Sequence, residues 1–339
     1  MKMSDILIFA INAVMPIIIM IGLGYYLKQK GLFTEEFLKI GNKTVFKLLL
    51  PILLFTNLTQ MDSFAELELN AIVYVTAAIA ILFIVGLVIS TRTSDPRQKG
   101  VLLQCVFRSN FALIGVPLAQ LIAGEQGVQA AAVLSAFTIP LFNILAVIAL
   151  SLYAADTQTI KPAQRICKIL KDILHNPLII GVLAGILVVC LKPVIPLLPH
   201  GLTGFISRFG FVQTVLDYLA KASTPVALLI LGGQFEFSRV QSLKRQIILG
   251  TTGRLLFAPL LGIGGAVLLH VNHILTFDRG TCAAFIALFG TPVAVASAVM
   301  AEEMGSDGQL AGQLVVWTTL LSSVVIFVSI VLLRGIGLL

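Results

Sequence analysis

RSNFALIGVPL, residues 108–118, lies in the middle of an apolar run from Gly100 to Ala123. About 20 apolar residues cross ~30 Å of hydrocarbon as a helix, so this run can span a bilayer. A segment that only anchors a chain in lipid has no use for arginine, serine, asparagine, glycine and proline at its centre. Proline lacks an N–H and clashes with the preceding turn, which frees nearby carbonyls. A break also leaves bare N–H groups at the start of the next half-helix, where the positive dipole end attracts an anion. Such backbone is tolerated at membrane depth where protein or a water-filled cavity covers it.

The rest of the chain supplies the membrane context. Of 339 residues, 58% are hydrophobic and 12% charged, with a mean hydropathy of +1.01. Soluble domains carry about 25% charged residues. The composition is that of a polytopic all-α membrane protein, with the lipid bilayer as its first partner. The net charge of +7 is explained by cytoplasmic loops, and no nucleic acid partner is expected. The N-terminal apolar stretch, Ile6 to Leu27, is longer than the ~7–15 residues of a signal peptide core and reads as the first span. The four cysteines show no CxxC or zinc spacing, and they read as packing residues; no metal or cofactor is expected.

Apolar runs near 6–27, 40–60, 71–90, 100–123, 127–153, 173–191, 211–235, 245–270, 280–304 and 312–334 predict ten transmembrane helices. Lys and Arg mark the cytoplasmic side. Thirteen of them fall in the loops of one side and five on the other. This split places both termini outside the cytoplasm and the basic segment 154–172 inside. That linker separates two sets of five spans, residues 1–153 and 173–339. An odd number per half inverts the second relative to the first. Gly124-Glu-Gln-Gly127 and Gly305-Ser-Asp-Gly308 each lead into the last span of a half, as the shared order of a repeat requires.

Inverted-repeat transporters hold substrate near the midplane, where Gly/Pro-broken spans of the two halves meet. The counterpart of RSNFALIGVPL in span 4 is FGTPVAVAS, residues 289–297, in span 9. The expected substrate site therefore combines Ser109, Asn110, Gly115 and Pro117 with Thr291, Pro292, Val293 and Ala294. Pro16, Pro51, Pro140, Pro225 and Pro259 read as kinks. Cations outnumber carboxylates inside the spans. Lys43, Lys47, Arg108, Lys221 and Arg254 fall there, against one clear carboxylate, Asp217. Asp217 and Lys221 are one helical turn apart and can pair, and Lys43 can snorkel to the cytoplasm. Arg108 either holds helix carbonyls or draws anions toward the break. The excess of positive charge favours an anionic solute, with Arg108, Lys47, Asp217 and Lys221 as electrostatic support.

These segments resemble the auxin efflux carrier family, which includes plant PIN auxin carriers and bacterial carriers of malonate and related acids. GNKTVFKLLLPILLF (41–55), RSNFALIGVPL, HNPLIIG (175–181), TPVALLILGG (224–233) and GTPVAVASAVMAEEMG (290–305) carry the resemblance, in order along nearly the whole chain. It implies unwound helices 4 and 9 that cross near the midplane. It also implies a dimerising scaffold of spans 1, 2, 6 and 7, and a moving, elevator-type domain of the other six. The plant Asn that contacts a substrate carboxylate corresponds to Asn110. The plant Pro-Gln-Gly of the second crossover is replaced here by Pro292-Val293-Ala294, so that wall should bind differently and auxin is not the expected substrate.

The expected function is a secondary inner-membrane carrier of small organic anions such as malonate-like acids. The alternatives are a sodium-coupled symporter of the bile-acid-carrier-like fold, and an anion channel. No HExxH or Gly-x-Ser-x-Gly occurs and the four histidines lie near span ends or in loops, so an enzyme is not expected.

Overall fold

The computed structural model describes residues 3–59, 69–154, 162–191 and 210–339. Among them the chain is helical almost throughout, and a single β-bridge joins Ser109 to Val293 in antiparallel sense. Helix α1 (Met3–Gln29) is followed by α2 (Glu35–Thr44), which widens through a π turn at Val45–Leu49 and continues as α3 (Leu50–Thr59). Thr34 caps α2, its hydroxyl accepting from the Phe37 N–H. Helix α4 covers Leu69–Ser90. Helix α5 (Pro96–Phe107) ends at the first break, and a π turn at Phe111–Gly115 leads into α6 (Val116–Leu152).

Together Phe111–Leu152 comprises 42 residues, which would make a rod of about 63 Å at 1.5 Å per residue. Gly124 prevents this. Its φ of 63° and ψ of −137° reverse the chain, in a region that favours glycine. The chain folds back so tightly that a Cβ on Gly127 would lie 2.1 Å from the Ala119 carbonyl oxygen. Gly305, before the last helix, likewise has a positive φ of 72°. Both Gly-x-x-Gly segments therefore turn the chain, as their sequence suggests.

Helix α7 (Pro162–His175) makes the basic linker partly helical. Asn176 separates it from α8 (Pro177–Leu191), its Oδ1 accepting from the Leu178 N–H. The sixth apolar helix thus begins at Pro177 and not near residue 173, because an asparagine cap followed by proline at the first helical position starts a helix there. The second half continues with α9 (Gly210–Gln234), α10 (Arg239–Ser242) and α11 (Lys244–Thr252). Two π turns, Gly253–Phe257 and Leu260–Gly264, lead into α12 (Gly265–Val271). Helix α13 (Arg279–Phe289) ends at the second break, and α14 (Ala296–Glu303) and α15 (Gly308–Gly335) follow.

Among the described residues, five continuous helical stretches are long and apolar enough to cross a membrane: Leu69–Ser90, Phe111–Leu152, Gly210–Gln234, Lys244–Val271 and Gly308–Gly335. Shorter apolar stretches are Val14–Gln29 within α1, Pro177–Leu191 and Arg279–Phe289. Large apolar side chains such as Ile19, Ile84, Leu268 and Val324 are exposed on their outer faces, an arrangement suited to lipid. The helices pack as two groups. Helix α9 packs on α1 and α3, and α3 packs on α8; α4, α5, α6 and α11 to α15 form the other cluster, which α1 meets along α15. Within the first group α1 and α9 approach to backbone contact. A Cβ on Gly24 would lie 2.1 Å from the Leu229 carbonyl oxygen, and one on Gly232 would lie 2.0 Å from that of Ile21. Small residues permit such contact between membrane helices.

Candidate functional site

The two breaks meet. Arg108 (φ −85°, ψ 111°) ends α5 in extended conformation, and Asn110 (φ −84°, ψ 50°) precedes the π turn. The Asn110 N–H donates to the Pro292 carbonyl at 2.8 Å. The crossing strands are short because each is bounded by a helix end. The half-helix that starts at Phe111 and α14, which starts at Ala296, both present N-terminal turns here. Their leading N–H groups have no partner within the helix.

A cavity of about 100 Å³ opens at this crossing. Its walls come from both helix groups: Leu50, Leu53 and Asn57 of α3, Leu178 of α8 and Thr224 of α9 on one side, and the two breaks with Ile139, Phe142 and Asn143 of α6 on the other. Most of the lining is apolar; its polar groups are Arg108, Ser109 and Asn110 of the first break, with Asn57, Asn143 and Thr224 around them. Arg108 is 3% exposed. Its guanidinium donates to Asn143 Oδ1 at 2.9 Å and to the Met300 sulfur. None of the described lining residues is a carboxylate. The Asn110 side-chain amide nitrogen and the Ser109 hydroxyl are buried without hydrogen-bond partners. Buried polar groups are normally satisfied, so unpartnered ones beside a cavity call for a ligand or ordered water. A guanidinium without a carboxylate, a free amide and two helix starts can hold a compact anion through charge-assisted hydrogen bonds.

The structure sorts the residues expected from sequence. Arg108, Ser109, Asn110 and Ala294 line the cavity together. Thr291, Pro292 and Val293 lie behind it, fully buried. The Thr291 hydroxyl donates back to the Ala287 carbonyl at 2.8 Å, and the Val293 N–H donates to the Thr318 hydroxyl at 3.2 Å. Gly115 packs on α13, where a Cβ would meet the Ala287 oxygen at 2.9 Å. Pro117 lies past the break and lines a second, larger cavity of about 630 Å³ with Asn12, Pro16 and Lys221. The two cavities share Leu53, Leu113 and Thr224. Lys47 sits on an exposed face and is not among the residues lining either cavity. Asp217 accepts from Gln213 Nε2 at 2.9 Å, and no ion pair joins it to Lys221.

Three polar lining positions were not among the expected site residues: Asn57, Thr224 and Asn143. A lone amide inside the apolar run 127–153 was the available signal for Asn143. Arg254 stood out in the sequence as an intramembrane cation, without a role. It is 0% exposed, and its guanidinium donates to the carbonyls of Thr291, Val106, Phe107, Leu288 and Phe289.

Bilayer-length apolar helices, two of them broken and crossing beside a partly polar cavity, are the architecture of a membrane transporter. The family described as Membrane transport protein (Mem_trans) matches residues 9–330, and the chain belongs to it. This is the auxin efflux carrier family that the sequence motifs resemble. A protein of Methanothermobacter thermautotrophicus, described as an uncharacterized transporter, is 23% identical over 315 residues, covering 92% of this chain and 95% of its own.

Proposed function

We propose that the protein is a secondary carrier of small organic anions, compact carboxylates of malonate size, which bind between the two broken helices. The observation that carries this reading is Arg108. A cation inside a span costs about 2.5–3.5 kcal/mol on insertion scales, and here it faces a cavity with unpartnered Asn110 and Ser109 side-chain groups and no carboxylate among its described lining residues. An anion completes that set, whereas a cation would meet the guanidinium. At about 100 Å³ the cavity is below the ~300–1,000 Å³ of sites for drug-sized ligands, which favours a compact substrate.

The cavity lies between the two helix groups, which suits alternating access. In this reading α1, α2, α3, α8 and α9 are the scaffold and form a homodimer, and the other group moves as an elevator. The antiparallel contact of Ser109 with Val293 and the two glycine reversals at Gly124 and Gly305 support ten spans in two inverted sets of five. Asn42 Nδ2 donates to Glu303 Oε1 at 2.9 Å, tying α2 to the end of α14 as an inner closure would. The carrier sits in the inner membrane with both termini outside.

Two experiments test this. In proteoliposomes, uptake of radiolabelled malonate-size acids should saturate and be competed by unlabelled acid; unsaturable flux would indicate a channel. In whole cells, a membrane-impermeant maleimide should label Asn272→Cys, placed between α12 and α13, but not native Cys167 of α7. Labelling of Cys167 from outside would reverse the orientation.

A further inference from the structure

We propose that Arg254 is a positioning residue for transport: its guanidinium is a built-in cation that joins the carbonyl ends of both broken helices and thereby fixes the walls of the cavity on the opposite face. The hydrogen-bond inventory is complete. Nε donates to Thr291 at 2.9 Å. Nη1 donates to Val106 and Phe107 at 3.4 and 3.3 Å, and Nη2 to Leu288 and Phe289 at 2.8 and 3.2 Å. Arginine has five N–H donors in a rigid fork, and each has a carbonyl here.

The acceptors have a common origin. Val106 and Phe107 are the last residues of α5, and Leu288 and Phe289 the last of α13. A helix end leaves its final carbonyls without partners and carries a partial negative charge. Two such ends brought together at membrane depth repel each other and cannot turn to water. A guanidinium between them satisfies the carbonyls and offsets the charge of both ends, and the same contacts offset the cost of burying Arg254. The crossing is therefore two-sided. Its carbonyl face is closed by Arg254 and its N–H face lines the cavity.

The consequence for the cavity runs through neighbouring residues. Phe107, held by Nη1, is followed by Arg108, which lines the cavity. Thr291, held by Nε, is followed by Pro292, whose carbonyl receives the Asn110 N–H. One side chain thus sets the register of both breaks. Arg254 stands on the π turn Gly253–Phe257 of a third segment, so it also links the crossing to the α11–α12 span. Lysine could not replace it, because three donors on a point charge cannot serve five carbonyls on two helices.

The test uses the full chain, purified in detergent, as Arg254→Ala and Arg254→Lys, with malonate as the anion probe. Arg254→Ala should lower the apparent Tm by more than about 5 °C. Methylguanidinium should restore part of that loss saturably, because it fits the vacated carbonyl set, whereas tetramethylammonium at equal concentration should not. An alanine variant as stable as the parent, or one rescued equally by both cations, would overturn the proposal. If the alanine variant cannot be purified, Arg254→Lys decides. It should keep the fold with a lower Tm and bind malonate about tenfold more weakly; a Lys variant equal to the parent in both overturns the assignment. The malonate arm rests on the proposed anion site, while the Tm and rescue arms do not, so failure of that reading is distinguishable from failure of this one.

Discussion

Arg108 and Arg254 are both buried at the crossing of the broken helices, and they are held in opposite ways. Arg254 has a backbone carbonyl for each of its donors, all from within the protein. Arg108 has one amide oxygen and one thioether sulfur, and it faces a cavity. The first is a closed structural device and the second is a charge with unused capacity. Burial alone does not separate them, since Arg254 is 0% and Arg108 3% exposed. What separates them is the origin of their acceptors. Carbonyls at helix C-termini consume a cation's donors, whereas the N-terminal side of the same breaks leaves the second cation available to an external anion.

Substitution should therefore divide stability from binding. Arg108→Gln should cost carboxylate affinity about 100-fold, near 3 kcal/mol and at the upper end for hydrogen bonds to charged groups. Its apparent Tm should stay at or above the parent's, because a cation without a carboxylate partner is removed from the membrane interior. Arg254→Ala should show the reverse weighting, with stability falling first. If Arg108→Gln unfolds the protein and Arg254→Ala does not, the contrast is wrong. Isothermal titration together with thermal unfolding of both variants decides this.

Asn110→Ala should have a smaller effect, about tenfold in affinity or ~1.4 kcal/mol, because it removes one amide donor and leaves the backbone bond to Pro292. Titration at several anion concentrations measures it, and parent-like affinity would move the site away from the first break. Thr291→Val should have the smallest effect, within about twofold in affinity. Its hydroxyl is already bonded to Ala287, and losing a hydrogen bond that points away from the cavity leaves the site intact. A loss beyond about tenfold would mean that the hydroxyl turns to the substrate during the cycle.

The two breaks also show what the sequence could and could not carry. A polar, Gly/Pro-containing centre in an apolar run marked both segments, because such residues are costly in a lipid-facing helix. The position of the opening was less legible. Pro117 suggested a break beside itself, yet the chain opens at Arg108 to Asn110. The π turn at Phe111–Gly115 absorbs the proline, and the pairing of Ser109 with Val293 decides which peptides leave the helix. Thr291 was expected in the site from its polarity, but just past the end of α13 its hydroxyl bonds instead to the carbonyl four residues back. Arg254 was visible as a cation within a span. Its acceptors lie 34 to 148 residues away in sequence, and no local pattern carries them. Hydropathy located most of the apolar helices, and the start of α8 was set instead by the Asn176-Pro177 cap.

The central claim is that Arg108 and the first break present an anion site. The most direct measurement is a thermal-shift series on purified parent and Arg108→Gln, against mono- and dicarboxylates and against organic cations of similar size. A ligand that binds only the folded state raises apparent stability by mass action. The account predicts a saturable rise with at least one compact carboxylate in the parent, none with the cations, and collapse of the rise in Arg108→Gln. A rise produced by the cations, or a carboxylate response that survives unchanged in Arg108→Gln, would contradict it.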